Sequence, residues 1–278
     1  VFSDRISAMV GLSEFRIMPR RGQYVILDKD QNHLARSVVF QVPSRLGKGI
    51  LVTPTFHGNL MIGPNAEEID DKTDVGTDTE TLANIVRLAR RSVPGFDMRK
   101  SLTSFAGNRP VANQKDWIID ASRINGFINL IGIDSPGLTA SPAIARKVCG
   151  LLQQAGLILE HKTDFQPLRP AIIRKKTLDF AGDVNATDPS LHLICRCEQV
   201  TEAEIIDCLN RGIPVRSLDA VKFRTRAGMG RCQGAFCGPR VRELLGRELA
   251  IPADAVCGKG ECSSTLAERA RRSDLQKL

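Results

Sequence analysis

The chain has 278 residues, is 42% hydrophobic and carries a formal charge of +8, enough for a buried core in one large or two modest domains. Its basic residues are scattered and aromatics make up only 5%, which argues against a nucleic-acid partner and for small anions or acidic proteins. No apolar run has membrane-spanning length, so no transmembrane segment is expected.

The chain opens at Val1 without a signal peptide and enters a helix over Ser3–Gly11, the pattern of a piece cut from something longer. Phe15 to Asp28 reads as strand, with Pro19-Arg-Arg-Gly22 as a turn or bulge. Further strands are expected at Val38–Val42, Gly49–Thr53 and Leu60–Gly63, the last after the turn His57-Gly-Asn59. An acidic loop from Glu67 to Asp78 leads to a helix from Thr79 to Ser92, with Leu82, Ile85, Val86 and Ala89 on its apolar stripe. Strands follow at Ser101–Ala106 and Trp117–Asp120, with Arg109 in a loop, Gly107-Asn-Arg-Pro110. A buried-strand run, Gly126–Gly132, then feeds a small-residue turn, Ile133–Thr139, and a helix from Ser141 to Gln154.

Residues 1–155 therefore form an α+β domain on a mixed or antiparallel sheet, 156–190 a linker, and 191–278 a smaller, mainly helical domain. In the last, Leu191–Ile194 runs into Cys195-Arg-Cys197. Thr201 and Glu204 have capping-box spacing, and helices are expected after Thr201, from Ser217 to Thr225, and from Cys237 with Pro239 in the first turn.

Cys195-x-Cys197 and Cys232-x4-Cys237 carry the strongest chemical signal. Two close thiol pairs bring four soft ligands together at little loop entropy. A [2Fe–2S] cluster fits the spacing; structural zinc and a disulfide are the alternatives. Eight cysteines in such pairs fit a reducing cytoplasm. Cys257-Gly-Lys-Gly-Glu-Cys262 repeats C-x4-C and reads as two extra thiols, with a disulfide or a second metal site as the alternative, while Cys149 and Cys208 read as plain buried residues. Two weaker signals are Arg109, suited to bidentate anion capture, and the turn Gly132–Thr139, where backbone and helix N-terminus suit a flat anionic ligand. Each also has a plain structural reading, as a surface Arg and an ordinary strand-to-helix turn.

The run Thr225-Arg-Ala-Gly-Met-Gly-Arg-Cys-Gln-Gly-Ala-Phe-Cys237, with Cys195-x-Cys197, resembles the bacterioferritin-associated-ferredoxin-like [2Fe–2S] domain. Pro19–Tyr24, Thr53–Asn59 with Ile62–Pro64, Phe105–Pro110 and Gly132–Thr139 are similar to flavoproteins of the D-amino-acid-oxidase superfamily. The nearest branch is that of FAD-dependent glycerol-3-phosphate dehydrogenases and 2-hydroxyglutarate oxidases. The two halves together resemble the large-subunit family of anaerobic glycerol-3-phosphate dehydrogenases.

The resemblance implies FAD and a [2Fe–2S] cluster on Cys195, Cys197, Cys232 and Cys237. Gly132, Ile133, Asp134, Ser135, Gly137, Leu138 and Thr139 would lie against the flavin, and Arg109 would hold the substrate's anionic end. His57 would be an active-site base, with a satisfied loop histidine as the alternative, and Tyr24 and Arg21 would line the same cavity. The reaction implied is oxidation of glycerol 3-phosphate or a 2-hydroxy acid. Electrons would pass through the cluster to an acceptor protein or membrane-associated subunit, in the cytoplasm or peripherally at the inner membrane. Oxidation of an amino acid of the proline type is one rival; a purely structural or regulatory cysteine domain is another. No G-x-G-x-x-G follows a strand, so the FAD-binding half is expected to be missing, ahead of Val1, and this chain alone to bind FAD weakly and be inactive.

Overall fold

Alternation between a buried and a half-open face runs through Ile17–Leu27, and all eleven residues form one strand, β1. The computed structural model describes residues 1–42, 49–114, 116–177 and 179–259. By contact they divide into two compact units, 1–165 and 166–278. Before β1 comes α1 (Ser3–Ala8), shorter than the expected helix.

The expected turn at Pro19–Gly22 does not form, because β1 pairs along its whole length with β5 (Ser101–Ala112). Pro19 faces Pro110 across the ladder. The Pro19 carbonyl accepts from the Ile69 N–H, on the other side of β1, so the missing proline N–H is turned away from β5 and costs that ladder no bond. The same pairing converts the expected loop at Gly107–Pro110 into strand. On the opposite edge β1 pairs with β3 (Leu60–Ile62) and β4 (Glu67–Glu68), and β3 carries β2 (Val52–Pro54) outward. All pairings are antiparallel. The expected strand at Val38–Val42 reduces to one bridge, Val39 to Val52. There the Gln41 side chain bonds the Ile50 N–H and the Leu88 carbonyl in place of a ladder.

The closed face of this sheet is covered by α2 (Thr79–Ala89), whose N-terminus Asp78 caps by accepting from the Thr81 N–H. Ile85 and Ala89 are fully buried against Val25, Leu27 and Ile62, with Leu82 and Val86 on the margin of that core. Gln23, fully buried on the same face of β1, clamps Asp78 through both ends of its amide. A separate hairpin, β6 (Ile118–Ala121) and β7 (Ile128–Ile131), leads into α3 (Gly137–Gln154), which starts four residues earlier than expected. No residue of α3 is buried, and Cys149, expected to be buried, is exposed.

In the second unit, β8 (Leu193–Cys195) and β9 (Val200–Thr201) form a tight hairpin whose connection holds Cys197. Three helices follow: α4 (Glu202–Leu209), α5 (Leu218–Thr225) and α6 (Cys237–Leu249). Ile194, Val200, Ile205, Val221, Leu244 and Leu245 form their shared core. Ile172 lies against it, so part of the stretch expected to be linker joins this unit. Buried Arg242 donates to the carbonyls of Ala253 and Val256 and ties down the chain after α6. Cys208 is buried in the core, as expected, and burial pushes its thiol up to about 11. Cys262 lies outside the described residues. Among the described residues no helix is long and apolar enough to cross a membrane.

The capping box at Thr201 is complete: its hydroxyl accepts from the Glu204 N–H, and the Glu204 carboxylate accepts from the Thr201 N–H. Thr201→Ala is expected to cost the second unit about 1 kcal/mol, measured as a fall in its thermal or denaturant midpoint with the spectrum of the folded state unchanged.

Candidate functional site

The four cysteines singled out from the sequence come together at one end of the second unit. Cys195 ends β8, Cys197 sits in the β8–β9 connection, Cys232 lies in a glycine-rich loop, and Cys237 opens α6. The thiols fall into two neighbouring pairs by the effect each has on the other, Cys195 with Cys237 and Cys197 with Cys232. Cys195 and Cys237 are buried; Cys197 is exposed. Three glycines permit this approach. A side chain at Gly230 would place its Cβ 2.2 Å from the Cβ of Cys197. Gly228 and Gly234 both have positive φ and bring their backbones almost into contact. Non-glycine residues in the left-handed region also gather here, at Gln199, Arg226 and Gln233. Gln233 holds its loop by donating its amide to the carbonyls of Met229 and Gly230.

The backbone aims N–H groups at these sulfurs. Cys195 is lowered to about 6, first by the hydrogen bond from Cys237 and then by the N–H groups of Gly228 and Glu198. Cys237 moves up, chiefly because it gives that hydrogen bond and is buried. In the second pair the Phe236 N–H, helped by that of Gly234, lowers Cys232, while burial raises Cys197. Each pair therefore sets one thiol whose pKa is lowered by donors beside one whose pKa is raised. An iron held by each pair would displace the second proton and keep the N–H donors, the arrangement that thiolate-ligated clusters need. Among the described residues, no three His, Cys, Asp or Glu side chains gather around one point that a single metal ion could occupy. Two pairs, one iron apiece, fit a two-iron cluster. Beside them Glu198, almost fully buried, pairs with Arg226 at 2.8 Å.

The first unit carries a different site on the open face of β1 and β5. Alternation puts Arg20, Gly22 and Tyr24 on that face, opposite Arg109, Gly107 and Phe105. Tyr24 and Phe105 stack with ring centroids 4.7 Å apart and planes within 5°. Arg109 is half-buried; burial lowers its pKa, with the neighbouring Arg20 acting the same way and Tyr24 and Asp134 opposing. Its Nη2 donates to the Asn65 carbonyl at 2.7 Å and its Nε, weakly, to that of Arg20. Among the described residues Nη1 has no hydrogen-bond partner. Gly22 makes room for this guanidinium, since a Cβ there would lie 2.8 Å from Pro64 and 3.1 Å from Arg109 Nη2. Burial raises the Tyr24 hydroxyl.

The turn Gly132–Thr139 ends β7 and opens α3. Gly132 has φ +71°, and a Cβ on it would fall 2.6 Å from that of Ala112 at the end of β5. Asp134 accepts from the Trp117 indole N–H at 2.9 Å, and its carbonyl accepts from the Gly137 N–H. Ile133 is half-buried, and a Cβ on Gly137 would meet it at 2.5 Å. Ser135, Leu138 and Thr139 are exposed, so the first turn of α3 presents its face to solvent beside Asp134 and Arg109. These are the features that a flat anionic cofactor requires of a backbone cradle.

Two expected members do not join this site. His57 occupies the β2–β3 turn, edge-on to exposed Phe56. That turn adjoins Leu27, seven residues along β1 from the Arg20–Arg109 pair, a span of roughly 23 Å. Arg21 points to the other face and pairs with Glu67 at 2.9 Å and Asp74 at 2.6 Å. Nothing in the local sequence marks Asn65, Gly22 or Trp117, which act on Arg109 and Asp134 through contacts between segments far apart in sequence.

Residues 1–151 match the family model described as FAD dependent oxidoreductase, and residues 193–247 the BFD-like [2Fe–2S] binding domain. A glycerol 3-phosphate dehydrogenase of Caloramator mitchellensis is 47% identical over 255 residues, 90% of this chain and 53% of that protein. One component of the anaerobic glycerol-3-phosphate dehydrogenase of Escherichia coli K12 is 25% identical over 84% of this chain and 48% of its own length. Dithionite-reduced L-alpha-glycerophosphate oxidase from Mycoplasma pneumoniae with FAD bound is 32% identical, with a TM-score of 0.49 over 55% of this chain and 40% of its own. The chain spans about half the length of the curated relatives it matches. FAD and a [2Fe–2S] cluster are thus the cofactors to which its two parts correspond. With residues 1–151 of 278 inside one family model, this chain belongs to the FAD dependent oxidoreductase family.

Proposed function

We propose that the whole protein is a dehydrogenase that oxidises glycerol 3-phosphate and sends the electrons on through a [2Fe–2S] cluster on Cys195, Cys197, Cys232 and Cys237. The observation that carries this reading is the donor-lined pairing of the four thiols. An enzyme handing its electrons directly to oxygen has no use for such a centre. FAD, when bound, supplies two-electron hydride acceptance, and the cluster supplies one-electron carriage. The names of the relatives support the choice of substrate.

On this reading Arg109 binds the substrate's phosphate. Its two hydrogen bonds to carbonyls fix the plane of the guanidinium and turn Nη1 outward. Stacked Tyr24 and Phe105 form an apolar wall on the same sheet face and exclude water beside that charge. Asp134, held by Trp117, keeps the turn closed against α3, and the backbone of Gly132, Ile133, Asp134, Ser135, Gly137, Leu138 and Thr139 would hold the flavin. The N-terminus of α3 favours negative charge on the ring. His57 has no part in this arrangement. Electrons leave for an acceptor protein, and only through that partner does the enzyme sit at the membrane.

Anaerobically purified protein is expected to hold two irons and two sulfides per chain, with a visible absorption band. Cys232→Ser should abolish both, and Gly230→Ala should remove most of the iron by pushing Cys197 away. Zinc in the native protein would overturn the relay and leave a structural or regulatory domain.

In the full-length enzyme Arg109→Ala should lower kcat/KM for glycerol 3-phosphate roughly 10- to 100-fold, the worth of a hydrogen bond to a charged group. Arg109→Lys should recover only part, because the fork is lost. Steady-state kinetics with an artificial acceptor check this. A higher kcat/KM for a 2-hydroxy acid or proline would overturn the substrate.

A further inference from the structure

Around the paired cysteines the sequence turns one-sidedly basic. Between Lys222 and Arg242 stand six basic residues, Lys222, Arg224, Arg226, Arg231, Arg240 and Arg242, and no acidic one. Arg226 is used by Glu198 and Arg242 by backbone carbonyls. Arg231 is exposed immediately before Cys232, and Arg196 is exposed between Cys195 and Cys197.

Phe236, 40% exposed and one residue before Cys237, carries two of these charges. The guanidinium carbon of Arg196 lies 4.8 Å from the ring centroid and that of Arg240 lies 4.6 Å from it. Among the described residues no carboxylate pairs with Arg196 or Arg240, and Nη1 of Arg240 is buried without a hydrogen bond. The aromatic ring therefore holds two uncompensated positive charges in place around a centre whose Cys197 reaches the surface. A collar that served only to offset the charge of a cluster would point its cations inward. Arg196 and Arg231 are instead exposed.

We propose that Arg196, Arg231, Phe236 and Arg240 form the docking surface for a redox protein with an acidic rim, which takes electrons from this domain. The proposal rests on the relay reading above. The step served is transfer of one electron to the acceptor's oxidised centre; no bond is made or broken. An exposed aromatic flanked by basic residues is the composition of an interface centre, and opposite charge on the partner orients the encounter.

The test uses the full chain with its cluster reconstituted and an acidic flavodoxin as the probe. Binding is followed by calorimetry, and oxidation of the dithionite-reduced cluster by stopped flow. The dissociation constant should rise about ten-fold or more between roughly 20 and 200 mM salt. At low salt the double variant Arg196→Gln/Arg231→Gln should weaken binding and slow electron transfer by about ten-fold. A control with the same charge change on exposed residues elsewhere in this unit, Arg169→Gln/Lys175→Gln, should do neither. Oxidation by a neutral quinone should be unchanged in all variants, which shows the cluster intact. Equal weakening by both double variants would reduce the effect to net charge and overturn the proposal, as would binding insensitive to salt; the relay would survive either. A chain that takes up no iron and sulfide would overturn both.

Discussion

Four thiols gathered in two neighbouring pairs set the electrostatic demand on the second unit. Ionised together without metal they would repel strongly, and the fold meets this by aiming backbone N–H groups at one sulfur of each pair, Cys195 and Cys232. The elements of the second unit answer to that demand. The β8–β9 hairpin delivers two cysteines, and the N-terminus of α6 presents Cys237 where unpaired N–H groups and positive potential are concentrated. The glycine loop between α5 and α6 delivers Cys232 with the N–H groups of Gly234 and Phe236 already directed at its sulfur. The core of Ile194, Val200, Ile205 and Leu245 lies directly behind, so moving a ligand means moving a core residue.

The first unit solves a milder version of the same problem with one guanidinium. Arg109 is half-buried on a sheet face, and its charge is tolerated because two carbonyls accept hydrogen bonds from it. The ladder between β1 and β5 fixes this. Arg20 opposite, Gly22 diagonal and Asn65 on the strand connection beyond the other edge all follow from a single register. A slip by one residue would carry Arg109 to the face where Gln23, Val25 and Leu27 meet α2, and no anion could reach it there.

What could be read from the sequence divides along the same line. The cysteine constellation, the capping box and the helix beginning at Cys237 depend on spacings of a few residues, and they stand where the spacings put them. The partition into Cys195–Cys237 and Cys197–Cys232 was not legible, because it depends on how α6 meets the hairpin. Gly107 and Pro110 have the chemistry of a loop, and Pro19 and Gly22 that of a turn. Each is overruled by a partner strand 89 residues away in sequence that sets proline against proline and glycine against glycine. The turn at His57 was read correctly as a turn, since Gly58 takes positive φ there. Its distance from Arg109 belongs to the sheet and has no trace in local sequence. Cys149 looked like core because α3 is apolar on one side, yet no residue of that helix is buried.

Three glycines show what the two units have in common. A Cβ on Gly22, Gly132 or Gly230 would fall within 3.0 Å of a neighbour. Each stands beside a candidate site residue or segment: Arg109, the turn that opens α3, and Cys197. At Gly22, unlike Gly132, φ is not in the left-handed region, so the requirement there is purely for room. Glycine at such a place weakens a strand, since it loses more backbone entropy on folding and has no side chain to bury. Tight β1–β5 pairing around Gly22 and the donor-filled loop around Gly230 offset that cost. Stability in this chain is thus gained in the ladder and the helical core and given up where a ligand, a guanidinium or a sulfur must come close to bare backbone.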